Sequence, residues 1–208
     1  MTDRERHDEG MRDDGMEQDR GHLPGISLAG RLLVAAPDLE DPNFARTVVL
    51  LLDHDEDGAL GVVLNRPSGV SVGAAVPAWA PAVSEPAVVH VGGPVTPDTV
   101  VCLGRLRAGD ADAEGWTPLT GSLGAVDLET EPALLLGALD GMRLFAGYAG
   151  WSPGQLEIEL RRGGWLVFPA EPDDAFTPNP RALWSQVLRR QGGEIALLHT
   201  MPVDPTCN

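Results

Sequence analysis

Gly150-Trp151-Ser152-Pro153-Gly154 has the pattern of a nucleophile elbow: a serine between two glycines, where a strand-like run meets a helix-like one. Asp173 and His199 follow in the order that hydrolases of that type use. The chemistry fails at one atom. An elbow takes an oxyanion donor from the backbone N–H after the serine, and Pro153 has none. Ser152, Pro153 and Gln155 read better as a capping box, with a hydroxyl at the N-cap and proline at the first helical position. A second pattern, Asp53-His54-Asp55-Glu56-Asp57-Gly58, spaces oxygen ligands as a calcium loop begins. The twelfth position requires a bidentate glutamate and holds Leu64, so an acidic hairpin turn at Asp57-Gly58 is expected. His54 and His90 stand beside different strands, and Cys102 and Cys207 lack metal-ligand spacing, so no metal is expected.

A third constellation is composite. Asn43, Arg46, Asn65 and Arg66 fall at the ends of neighbouring apolar runs, and Gly92 and Gly93 offer close backbone approach. Gly150, Ser152, Gln155 and Glu157 belong to a loop and helix start whose N–H groups and dipole favour an anion. Gathered together, these residues form a ligand-binding candidate for a small anion. Arg66 is expected to project toward residues 150–155, either paired with Glu157 or free for ligand. The plainer alternative ranks ahead: Asn and Asp fasten turns, glycines permit unusual φ, and the arginines pair with Asp38, Asp41 or Glu157. Tyr148, Trp151, Trp165 and Trp184 read as core residues, their N–H and O–H groups satisfied at its edge.

The composition removes whole classes of mechanism. All 15 basic residues are arginine, and formal net charge is -16. Without lysine there is no Walker loop, no kinase strand lysine and no Schiff base, and no cofactor is expected. The acidity argues against direct nucleic-acid binding; Arg161-Arg162 and Arg189-Arg190 read as helix-end pairs. No apolar run reaches membrane-spanning length, and the first residues lack a hydrophobic export signal, so a cytoplasmic protein is expected. Its partner would be a small anion or another protein. Oligomeric state is not legible.

Residues 1–22 are almost all charged, polar or glycine and are expected to form a disordered tail before one domain over residues 23–208. Short Val- and Leu-rich runs at 32–36, 47–52 and 59–64 read as buried strands, the last stopped by Pro67. Further strands are expected at 88–91, 99–103, 125–128, 142–148 and 165–168. Helices are expected from 71, at 132–139, 156–162 and 180–191, and a surface loop at 107–121. Irregular alternation with hairpins favours α+β with a mixed sheet.

Several of these stretches, in order, carry a resemblance: LLVAAPDLEDPNFARTVVLLLDH, GALGVVLNRP, VGGPV, and FAGYAGWSPGQLEIEL followed by Trp165. Together they resemble the YqgE/AlgH family of bacterial proteins. The resemblance implies a bent mixed sheet forming a pseudo-barrel with flanking helices. It implies little about activity. The expected role is a non-enzymatic binding or regulatory module. The alternatives are an enzyme acting on a phosphorylated or carboxylated small molecule, and a transcriptional regulator acting indirectly, since no basic helix-turn-helix is present.

Overall fold

The computed structural model describes residues 27–108 and 113–201. The expected tail at 1–22 and Cys207 lie outside them. In chain order the strands are β1 (Arg31–Ala35), β2 (Val48–Asp55), β3 (Gly58–Val63), β4 (Pro67–Ser71), β5 (Val88–Val91), β6 (Val95–Leu106), β7 (Trp116–Thr120), β8 (Leu123–Val126), β9 (Leu139–Trp151) and β10 (Trp165–Pro169). The helices are α1 (Val72–Ala75), α2 (Pro132–Leu135), α3 (Gln155–Arg161), α4 (Leu183–Gln191) and α5 (Gly193–Leu197). None of the described helices is long and apolar enough to cross a membrane.

The sheet runs β10-β1-β2-β3-β9-β6-β8-β7, with β4 paired to β5 and β5 lying parallel to β9; the other ladders are antiparallel. Phe168 and Leu32 come from one end of that order and Leu123 from near the other, yet they share one apolar cluster. The sheet therefore curls into a half-barrel around interior positions such as Val34, Leu50, Val62, Leu103 and Phe145, and Trp184, Val187 and Leu188 of α4 close it.

Continuous apolar runs are needed because the first strands are buried on both faces. The alternate residues Leu33, Ala35, Val49, Leu51 and Val63 face an outer layer formed by Leu156 of α3 with Leu39 and Phe44. In the other half of the sheet, Cys102, Met142 and Leu144 pack under Val72, Trp79 and Leu135. The mixed, bent α+β architecture agrees with the sequence reading.

An arginine and a histidine are among the polar residues buried in this core. Arg143 is fully buried and donates to the carbonyls of Glu85, Ala175 and Thr177, tying three segments together. Burial holds its guanidinium down to about 10. His90, also fully buried, hydrogen-bonds through Nδ1 to the Val88 carbonyl at 3.1 Å and lies 5.7 Å from the Phe145 ring. Burial, then the nearby Arg143 charge, pushes its imidazole down to about 4.

Several boundaries differ from the sequence reading. β9 continues through Gly150 and Trp151, so these residues stand in a strand and not a loop. Residues 107–121 include β7, an edge strand whose outer side accommodates Pro118. Pro67 opens β4 instead of ending all extended structure. The helices expected from 71 and at 132–139 shrink to single turns, the first running into a 3-10 stretch at Pro77–Ala82 and the second into β9. Helix at 156–162 holds, but its N-cap is Gly154 in the left-handed conformation, not Ser152.

Candidate functional site

The element with chemical character is the outer layer over β1–β3. α3 returns across the sheet face from the end of β9, and residues 37–46 fold back beside it. Between them lies a cleft of about 440 Å³. Leu156 anchors α3 on the sheet, and the helical period turns Glu159 toward the cleft lip. There Trp151 Nε1 and Trp165 Nε1 both donate to Glu159 Oε2, at 2.9 and 2.8 Å. Gln155, one helical turn earlier, donates Nε2–H to Glu159 Oε1 at 2.9 Å. Gln155 is itself oriented, because its Oε1 accepts the Ser152 N–H at 3.1 Å.

Phe44 completes the wall. It stacks on Trp151 with centroids 6.1 Å apart and meets Trp165 edge-on at 5.5 Å, while the two indoles cross at 5.9 Å. Partial burial alone would raise the Glu159 carboxyl. The hydrogen bonds from Gln155, Trp165 and Trp151, with the charge of Arg162, outweigh that and hold it below the usual carboxylate range. Glu159 is thus an ionised carboxylate, fixed by three neutral donors and bordering an aromatic cleft.

The residues singled out from sequence separate into groups. Gln155 and Gly150 line this cleft, and Ser152 contributes through its backbone. Glu157 lies on the same helix but turns to His54, accepting from Nε2 at 2.8 Å. Its own backbone N–H first, then His54, keep its carboxyl low. His54 Nδ1 accepts the Leu28 N–H, so both ring nitrogens are engaged.

Asn65 and Arg66 belong to the opposite end of β3. Leu60 pairs with Gly150, and Arg66 follows the bend after β3 ends at Val63. Among the described residues Arg66 makes no hydrogen bond or ion pair with residues 150–157. It donates to the carbonyls of Pro42 and Ala45, bracing the loop that carries Phe44. Burial lowers its guanidinium, and Asp41 counters this. Asn65 continues the ladder with its side chain, accepting from Val48 N–H and donating to the Arg46 carbonyl. That bond holds Arg46 at φ 56, with its guanidinium 4.4 Å from the Trp184 ring centroid and bonded to the Met201 carbonyl. Asn43 is exposed and closes a turn on Asp41.

Gly92 and Gly93 are spent on packing. A Cβ on either would collide with the backbone at Gly147 and Tyr148, so VGGPV and FAGYAG are two sides of one close crossing. The candidates thus divide: Gly150 and Gln155 border the cleft and Arg66 braces its loop, while Arg46, Asn65, Gly92 and Gly93 make backbone and packing contacts of their own.

Glu159, Phe44 and Arg162 were not among the sequence candidates. Their one signal was the need of two indole N–H groups for an acceptor, with a glutamate four residues after Gln155. A second hollow, of about 840 Å³, borders Arg105, Arg107 and Trp116. Its arginines are engaged, Arg105 with Asp140 and Asp173 and Arg107 with the Gly137 carbonyl.

Fold and cleft together define a single-domain α+β protein with a half-barrel sheet and an aromatic, carboxylate-bearing groove on its outer layer. Residues 32–196 match the family model described as AlgH-like, DUF179, and the chain belongs to that family. It is 53% identical over 185 residues to a UPF0301 protein of Streptomyces avermitilis, covering 88% of this chain and 96% of the relative. A UPF0301 protein of Thermobifida fusca is 50% identical over 196 residues, covering 90% and 98%. Among solved structures, protein DIP2367 of Corynebacterium diphtheriae superposes with TM-score 0.79 at 39% identity, covering 83% of this chain and 92% of that one. The AlgH protein of Pseudomonas aeruginosa gives TM-score 0.63 at 33% identity, covering 86% and 96%.

Proposed function

We propose that this chain is a non-enzymatic binding module that takes its ligand in the cleft between residues 38–44 and α3. The observation that carries the reading is the Glu159 carboxylate, oriented by two indoles and Gln155 at the edge of a cavity of ligand size. Such preorganisation lowers the ordering cost of binding. Three groups that could carry nucleophilic catalysis lack a free reactive atom or a partner. His54 has both nitrogens occupied, Pro153 removes the donor an acyl-enzyme would need, and the Cys102 thiol is buried and pushed far up by desolvation.

The test is a ¹H–¹⁵N NMR screen of the full chain against capped amino acids, polyamines and phosphorylated metabolites, reading the indole Nε1–H signals. Hits are expected to move Trp151 and Trp165 and to leave Trp79 and Trp116 in place. A library that moves neither cleft indole, or turnover of any hit, would overturn the reading.

A further inference from the structure

We infer that the ligand of this cleft is an organic cation of about amino-acid size, with a guanidinium compound as its simplest representative. The inference rests on the reading of the cleft as a binding site. Its walls hold three carboxylates, Asp38, Asp41 and Glu159, against one cation, Arg162. A carboxylate offers about four acceptor positions. Glu159 uses three of them on Trp151, Trp165 and Gln155, which leaves acceptor capacity on Oε1.

The Asp38 carboxylate makes no hydrogen bond or ion pair among the described residues. Unused capacity in the cleft comprises acceptors on Asp38 and Glu159 and the donors of Arg162, and the three carboxylates outnumber that one guanidinium, which favours an N–H-bearing cation. Phe44, half-buried at the cleft wall, adds aromatic surface backed by the buried indoles of Trp151 and Trp165, and such surface favours a flat, weakly hydrated cation. The chain's net charge of -16 attracts cations at longer range.

Arg162 has a specific part in this scheme. Its charge already acts on Glu159, yet it makes no ion pair among the described residues. It is an internal competitor for the same carboxylate, near enough to favour ionisation and exposed enough to yield to a ligand.

The experiment titrates the full chain with N-acetyl-arginine amide, with N-acetyl-citrulline amide as the neutral counterpart of the same shape, and with inorganic phosphate. The readout is again the indole signals of Trp151 and Trp165. The arginine probe is expected to move both saturably, and citrulline to bind about tenfold more weakly or worse. Glu159→Gln, which keeps an acceptor for the indoles, should weaken the arginine probe by about tenfold or more. Arg162→Ala, an exposed change, should tighten it.

Equal binding of citrulline, no loss in Glu159→Gln, or weaker binding in Arg162→Ala would overturn the cation assignment. So would phosphate moving the indoles while arginine does not. In each of those cases the cleft still binds, and only the ligand class is wrong. Should arginine fail here and the wider screen also leave both indoles unmoved, the cleft reading falls with it.

Discussion

His90 should make this fold acid-sensitive well above the range in which carboxylates titrate. Its imidazole has no exposure and lies near a buried guanidinium, so folding disfavours its protonated form. The unfolded chain takes up a proton near the ordinary histidine value of 6.5, while the folded chain resists until about 4. The unfolded state therefore binds more protons between those values, and stability falls as pH drops through that window. From pH 7.5 to 5 the loss works out at about 2 kcal/mol, approaching roughly 3 kcal/mol below pH 4.

The low carboxyls of Glu157 and Glu159 act in the same direction, but only as pH falls below about 4.5, so pH 5 isolates the histidine. The assay is urea unfolding at pH 7.5, 6 and 5, where the midpoint should move by about 1 M. His90→Phe keeps a ring against Phe145 and removes the titrating group. It loses the bond to the Val88 carbonyl at every pH, so its baseline drops while its slope flattens. An unchanged slope between pH 7.5 and 5 in His90→Phe would refute the argument, as would a wild type with no slope there.

Two further predictions concern the parts that hold the cleft loops in place. Gly93→Ala drives a Cβ into the Tyr148 backbone and should cost about 3 kcal/mol, read as a Tm drop of roughly 10 °C. Gly154→Ala meets no atom within 4 Å and carries only the strain of φ +74, so about 1 kcal/mol and a few degrees are expected; similar losses in both would show that contact is not the cause. Asn65→Ala leaves the Val48 N–H and the Arg46 carbonyl without their partner, for a loss of about 2 kcal/mol in denaturant unfolding. A loss below about 0.5 kcal/mol would mean that the ladder closes without it.

The motif residues allowed two readings, chemical and structural, and the structural one ranked ahead. Asn65, Arg66, Gly92 and Gly93 are the residue types a ligand site uses, and each also suits a backbone problem: ending a strand, bracing a loop, or letting two strands cross closely. Position in the chain does not distinguish those uses. The partners do, and they come from residues 42–48 and 146–149.

What the sequence determined by itself was the layering. Short, almost wholly apolar runs between turn residues read as buried strands from residues 32–64 alone, and burial on both faces is what such runs serve. Over α3, where Leu156, Ile158 and Leu160 also alternate like a strand, the Leu156/Leu160 and Glu157/Arg161 spacings and the residues before them favoured helix, and Pro153 argued against the serine elbow on covalent grounds. Only the tertiary structure decided where the polar chemistry lies. Trp151 alternates with the period of a strand, Glu159 turns with the period of a helix, and Trp165 opens a strand at the sheet edge. No single periodicity relates the three. They converge because the sheet curls and α3 crosses it, bringing two indole donors to one carboxylate oxygen.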